Sequence, residues 1–388
     1  MSVQVAALAA EAGEAHIAPP ARAALSAAHD RLRPCRIDDL PAIATLFQSV
    51  FYRAAGLPPQ SLIAHLRDVY FDHPWHDPQM PSHVFVSANG TIDGFVGALP
   101  LRLRFKGEPV RASIAGALMV RDPASRPMAG ARLLRSFMSG PQALSLGDTA
   151  NWTSKTLWER IGGRTLPLAS MEWLKIIRSA AFGVSVVRNR LPKPLAALLA
   201  PASGVAAAFG RRRASDPMQP WVGETVDDAA FLAAYNEVSA KLDIALDLDD
   251  AAGRWMLDQA ARKTRHGQLF RRVVTARSGK LLGCYLVYAR RGATAETLQI
   301  TAMPGQGDAV FASLIDFATA EGCIAVRGRS QNALMNALFK SGCIMRHRGA
   351  TVADTKNTGL MTALERGAAP LGGFFGETWT RLVSDEFA

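Results

Sequence analysis

The sequence predicts an α/β protein of two tandem domains, each a mixed, mostly antiparallel sheet flanked by helices. The chain has 388 residues, which is roughly two and a half times an ordinary domain. Its 49% hydrophobic and 20% charged residues suit packed cores, although alanine inflates the first figure. The order of helical and extended patterns over residues 34–178 recurs over 219–366, at low residue identity.

The first thirty or so residues are Ala-rich with Pro19-Pro20 and read as a weakly ordered leader, residues 1–33. They lack the basic start and clean apolar core of a secretory signal, since Glu11 and Glu14 interrupt the stretch. From Arg36, apolar residues at Ile37, Leu40, Ile43, Leu46, Phe47 and Val50 follow helical spacing, with Asp38 and Asp39 favouring a helix start. His83 to Ala88 and Ile92 to Leu99 flank Asn89-Gly90, a dipeptide that tolerates the positive φ of a tight hairpin. A third strand is expected at Ala112 to Val120, a helix at Ala129 to Ser139, a short strand at Ala143 to Leu146 and a helix at Ser154 to Ile161. Leu166 to Ile177 then reads as the domain's last strand region.

Residues 179–218 form a linker, with basic residues around Leu195 to Phe209 and the cluster Arg211-Arg212-Arg213. A packed linker helix with exposed basic ends is the plain reading. The sharper reading is a peripheral contact with anionic lipid through 188–213. The second unit has helices at Asp227 to Leu242 and Ala251 to Arg262, and a hairpin of Val273 to Ala276 with Leu281 to Ala289. It continues with a strand at Thr297 to Ala302, a helix at Ala309 to Ala320, a strand at Cys323 to Val326 and a helix at Ala333 to Lys340. A tail, residues 367–388, is expected to pack against one of the domains.

Lys and Arg number 44 against 33 Asp and Glu, giving a net charge of +11 that favours an anionic partner without choosing one. Cys35, Cys284, Cys323 and Cys343 have no metal or secreted-disulfide spacing, so they read as buried thiols in a reducing compartment. A cytoplasmic protein is expected, with a position at the inner membrane surface as the alternative; the sequence carries no signal for oligomeric state. His73-Pro74-Trp75-His76-Asp77 reads as a loop packing its Trp, and no metal site is expected. Lys263 to Arg272 reads as a solvated basic edge, and Trp173 and Trp379 as core anchors.

The segment Leu118 to Leu134 is the most informative. A strand ends, a Pro-containing loop turns, and a helix begins at Ala129, Gly130 and Ala131 with Arg126 just before it. Unpaired amides at such a start, with the helix dipole, suit a pyrophosphate. Here the chain resembles the GNAT superfamily of acyl-CoA-dependent N-acyltransferases, whose signature V-x-P-x-x-R-x-x-G-x-G/A it matches at Pro123, Arg126 and Ala131. Ala129 stands where Gly is usual, and Val120 lies one residue early. Asn151, Ser154, Leu157, Trp158 and Gly162-Gly163 resemble the following motif, so the two together span about 45 residues in order.

The resemblance implies a tandem GNAT arrangement that takes acetyl-CoA or another acyl-CoA and a small amine acceptor. In it the amides of Met119 and Val120 pair with the pantetheine arm, and Arg126, Pro127, Met128, Ala129, Gly130 and Ala131 hold the pyrophosphate. Asn151 and Ser154 lie beside the thioester end. Trp158 occupies the place where the superfamily often has a proton-donating Tyr, a task an indole cannot perform. Asp148, ending the short strand, is the candidate general base or amine-orienting group. Its alternative is a turn carboxylate satisfying nearby amides.

The second unit has a similar later motif at Asn332, Met335, Leu338, Phe339 and Gly342, but Met303 to Asp308 lacks the Arg and carries an acid. CoA is therefore expected in the first domain, with the degenerate second domain walling the acceptor site. Aminoacyl transfer from tRNA, as in the similar cross-bridge peptidyltransferases, and a non-catalytic CoA-binding scaffold stay open, although a nucleic-acid partner is not the favoured reading.

Overall fold

A computed structural model of the chain describes residues 30–190, 219–347 and 349–387. Nearly all of the expected leader, and residues 191–213 of the expected lipid contact, lie outside the described residues.

The first half begins with β1 (Arg31–Pro34) and α1 (Leu40–Phe47), between which the Asp39 carboxylate accepts from the Arg36 amide and the Arg33 guanidinium, both at 2.7 Å. α2 (Gln60–Tyr70) is absent from the sequence expectation, yet Leu62, Leu66, Val69 and Tyr70 bury one helical face. β2 (His83–Val86), β3 (Ile92–Phe105) and β4 (Glu108–Val120) form a meander. Its second hairpin is longer than expected and turns at Lys106-Gly107, with φ of 53° and 89° at the two positions. α3 (Ala129–Met138), β5 (Leu144–Ala150), α4 (Trp152–Arg160) and β6 (Arg164–Thr165) complete this run.

β7 (Met171–Ile176) precedes α5 (Ser179–Arg190). The second half runs β8 (Trp221–Thr225), α6 (Asp228–Ser239), β9 (Ile244–Leu246), α7 (Asp250–Ala261), β10 (Gln268–Ala276), β11 (Leu281–Ala289) and β12 (Thr294–Ala302). The carboxylates of Asp227 and Asp249 cap the two helices by accepting the Ala230 and Ala252 amides at 2.8 Å. α8 (Gly307–Ala320), β13 (Ala325–Arg329), α9 (Met335–Lys340), β14 (Ile344–His347), β15 (Ala350–Asp354) and α10 (Thr358–Glu365) follow.

The two halves exchange strands. The eight-stranded first sheet runs β1-β2-β3-β4-β5-β15-β6 with β9 joined to β3, and the seven-stranded second runs β14-β7-β13-β12-β11-β10-β8. β7 therefore leaves the half that encodes it and sits between β13 and β14, while β15 enters between β5 and β6. Only β4/β5 and β12/β13 pair in parallel among the described strands. α3 and α4 cover the outer face of the first sheet, and α8 and α9 that of the second. The inner faces share one core with α1, α2, α6, α7, α10 and the C-terminal tail. Trp379 is fully buried in that shared core and Trp173 at the second sheet's outer face, both as core anchors. Of the cysteines, Cys284 and Cys323 are buried but Cys35 and Cys343 only partly so. Among the described residues no helix is long and apolar enough to cross a membrane.

The exchange makes the halves interdependent. Residues 30–178 produced alone lack β15, so β5 loses a partner and β6 is stranded. The fragment is expected to be insoluble or to melt without cooperativity, whereas co-production with 219–388 restores a soluble pair, as read by size exclusion and thermal circular dichroism.

Candidate active site

β4 and β5 pair over Ala112–Ile114 and Leu144–Leu146, and then part. β4 also bulges at this point. Gly116 faces Gly97 and Met119 faces Phe95, so Ala117 and Leu118 together oppose Val96, and Ala117 takes a φ of 47°. The bulge turns the Ala117 amide out of the ladder and toward the gap. The Arg121 amide donates to Asp93 O at 2.8 Å, so by strand alternation Met119 points its amide at β3, and Val120 points its own to the open side. For Met119 this differs from the expectation, because the bulge shifts the phase of the strand by one residue.

The C-terminal tail enters the gap. The Glu377 carboxylate accepts from the Ala117 amide at 3.2 Å and from the Thr149 hydroxyl. Its own amide donates to Asp148 Oδ1 at 3.1 Å. Gly376 is required here, because a Cβ on it would lie 1.8 Å from Asp148 Oδ2. On either side the tail is fixed: the Phe374 amide donates to Gln299 Oε1 at 3.1 Å, and the Arg381 amide to His65 Nε2 at 3.1 Å. Lys263 Nζ donates to Thr378 O at 2.8 Å. Lys263 is thus buried, against its expected place on a solvated edge.

Asp148 and Glu377 are 2% and 5% exposed. Burial pushes both carboxyls above their ordinary range; the neighbouring Asp148 charge adds to the effect on Glu377 and holds it near neutrality, at about 7. Asp148 Oδ2 has no hydrogen-bond partner among the described residues. Lys263 is driven the other way by burial, down to about 8.

Two clefts meet at this point. One, of about 240 Å³, is lined by Phe47, Phe51, Leu118, Asn151, Ser154 and Trp158 with Glu377. The other, of about 220 Å³, lies toward the second sheet against Glu296, Thr297, Arg327 and Arg329. Thr149, Val383 and Ser384 wall both. Asp148 lines neither; it lies beneath Gly376 and Glu377. Asp148, the expected base, thus lies one contact from the gap, and the carboxylate that stands in it is Glu377, whose one signal in the sequence is a lone acid within Gly372-Gly-Phe-Phe-Gly-Glu377-Thr-Trp379.

The other expected residues divide. The Asp122 carboxylate takes the amides of Ala124 at 3.2 Å and Ser125 at 3.4 Å, and the Ala129 amide donates to Arg126 O at 3.1 Å. The amides of Met128, Gly130 and Ala131 have no acceptor among the described residues, and Pro127 has none to offer. The Arg126 guanidinium meets Asp93 at 2.9 Å and Asp30 at 3.5 Å, which ties the loop to β3. Asn151 caps α4, its Oδ1 accepting from the Ser154 amide at 2.9 Å. Trp158 is buried, edge-on to Phe137.

The corresponding start of α8 is closed. A Cβ on Gly307 would lie 1.8 Å from Ala333 O, and the Asp308 carboxylate is held by Asn336 at 2.7 Å and Lys340 at 3.0 Å. His73 Nδ1 accepts from the Trp75 amide at 2.9 Å, which makes it part of a packed loop. Among the described residues no cluster of three His, Cys, Asp or Glu could hold a metal.

No family model matches the chain. No curated protein matches it either. Solved structures do: a GCN5-related N-acetyltransferase from Anabaena variabilis superposes with a TM-score of 0.55, and a conserved Enterococcus faecalis protein described as a probable N-acyltransferase with 0.53. Each is 11% identical, over 84% of this chain and 72% of the other. The chain has a GNAT-like fold made of two sheets. At this identity the likeness shows the fold alone.

Replacing Gly376 by Ala forces the tail off Asp148. The expected loss is about 1–3 kcal/mol of stability, the range for overpacking, with faster proteolysis after Gly367. Thermal melting and limited proteolysis check it.

Proposed function

We propose that the chain is an N-acyltransferase that moves an acetyl or longer acyl group from acyl-CoA to a small amine by direct attack. The observation that carries this reading is the Glu377 carboxylate set where β4 and β5 part, lining one cleft beside Thr149, which walls the second, and bonded to an outward-facing strand amide. The GNAT-like fold supports it.

In this reading the pyrophosphate takes the amides of Met128, Gly130 and Ala131 at the start of α3, where the helix dipole adds about 0.3–1 kcal/mol. Ala129 and Ala131 keep that start small, and Arg126 positions the loop through Asp93. The pantetheine arm runs along the open edge of β4 and pairs with Val120, while Met119 supplies core packing. Asn151 and Ser154 flank the thioester, over the floor formed by Trp158, and the apolar rings of Phe47 and Phe51 receive the acyl end.

The acceptor must attack as the free base, although an alkylamine has a pKa of about 10.4. Glu377 is the base and Asp148 the charge beneath it that keeps its proton affinity high. The amine nitrogen forms a bond to the thioester carbon, and its proton passes to Glu377. The tetrahedral oxyanion takes an open β4 amide, worth about 3 kcal/mol for one donor. The C–S bond then breaks, and the proton on Glu377 balances the thiolate that departs. No thiol lies in the cleft to carry the acyl group. The cytoplasm, where thiols stay reduced, is the proposed location.

Glu377→Gln is expected to lower kcat roughly 10²–10⁴-fold with acetyl-CoA binding unchanged. In the parent protein kcat/KM falls as pH drops through about 7, because the base is then protonated. Asp148→Asn removes a like charge and moves that limb to lower pH; an unmoved limb contradicts the pairing.

Gly130→Asp places a carboxylate in the pyrophosphate seat, at a helix start where an acid favours folding. Calorimetry is expected to show roughly tenfold or weaker acetyl-CoA affinity in a protein that still folds, its melting temperature lowered only slightly by the new Cβ 3.3 Å from Leu157 Cδ2. Equal affinity sinks the donor assignment.

A further inference from the structure

The cleft on the second-sheet side is lined as a receptor for charge. β12 and β13 pair in parallel from Thr294–Ala325 to Glu296–Arg327 and then part, which repeats in the second sheet the opening between β4 and β5. The cleft occupies that opening. Its carboxylates are committed: Glu296 pairs with Arg327, and Glu172 with Arg346 at 2.7 Å. Two of its cations are not. Lys263 and Arg329 bind only backbone carbonyls, Thr378 O and Thr380 O for the lysine and Ala169 O, Gly349 O and Asp148 O for the arginine. Neither has a carboxylate within ion-pair distance among the described residues.

A second observation is independent of charge. Thr297 is 9% exposed and lines the cleft, yet its hydroxyl has no partner among the described residues. A buried hydroxyl without a partner is destabilising unless something that enters the cleft completes it. Leu298, Tyr288 and Val383 add an apolar side, and the volume of about 220 Å³ admits a molecule of amino-acid or hexosamine size.

We infer that this cleft is the acceptor site, and that its ligand is a small primary amine carrying an anionic group, carboxylate or phosphate. The anion meets Lys263 and Arg329, a polar group meets Thr297, and the amine reaches past Thr149 to Glu377. This rests on the acyltransferase reading and gives it an acceptor class. A neutral amine of the same size would leave both cations in contact with backbone carbonyls alone, with no opposite charge touching either.

The test uses the full chain with acetyl-CoA and one longer acyl-CoA, and matched acceptors: phenylalanine against phenylalaninol, and glucosamine phosphate against glucosamine. The first pair carries carboxylate, the second phosphate, so the pair that discriminates identifies the anion. CoA release is expected with a KM roughly 10- to 100-fold lower for the anionic member of at least one pair. Thr297→Val, which keeps shape and breaks no protein hydrogen bond, is expected to raise the acceptor KM several-fold with donor KM unchanged and the melting temperature equal or higher. Equal KM values within both pairs, or preference for the neutral members, overturn the acceptor class and leave the acyltransferase reading standing. Absence of acetyl-CoA binding by calorimetry removes both.

Discussion

Two carboxylates lie together, almost without water, where a pair of parallel strands comes apart. Such an arrangement is unfavourable on its own: desolvation raises both acids, and the Asp148 charge raises Glu377 further. It persists because the surrounding backbone supplies what water would have. Ala117 and Thr149 donate to one carboxylate, and the tail's own amide to the other. The strand bulge at Ala117, the missing side chain of Gly376 and the path of the last fifteen residues are all conditions for that small network. Close approach demands glycine again at Gly116, where a Cβ would stand 2.9 Å from both Glu377 Oε2 and Tyr70 Oη.

The strand exchange extends the same dependence to the whole chain. β7 and β15 trade sheets, and the inner faces share one core, so neither sheet is complete without residues from the other half. The tail completes both openings in one pass. Gly373 and Phe374 lie on Leu298 and Gln299 of the second sheet, and Glu377 reaches the first only a few residues later. A site assembled this way depends on the fold being closed in both halves.

Local pattern was legible in the residues; partnership was not. Asn89-Gly90 marks a turn, and Gly90 there has a φ of 83°. Asp227 and Asp249 stand where helix starts need an oxygen, and they cap them. α2 follows a clear period in Leu62, Leu66, Val69 and Tyr70, although Pro58-Pro59 and Pro74 bound it closely on either side. The exchange of β7 and β15 could not be read, because period fixes which face of a strand is apolar and leaves open which neighbour it joins. Glu377 was hidden for a related reason. It lies in a stretch of Gly, Phe and Trp without period, and its importance arises from what it touches 228 and 260 positions away in sequence.

Placing the acid on the tail and not on a strand has a chemical consequence. A strand carboxylate such as Asp148 is fixed by its ladder and points into protein on one side. Glu377 comes from a segment held by separate anchors at Gln299, Lys263 and His65, so it can stand in the gap itself and line the cleft on the first-sheet side, while the next residue, Thr378, lines the other. The same segment then provides Val383 and Ser384 as the wall between the clefts, and Ser384 takes a φ of 64°, a conformation a serine adopts at some cost. A single stretch of backbone therefore sets both the position of the acid and the thickness of the partition beside it.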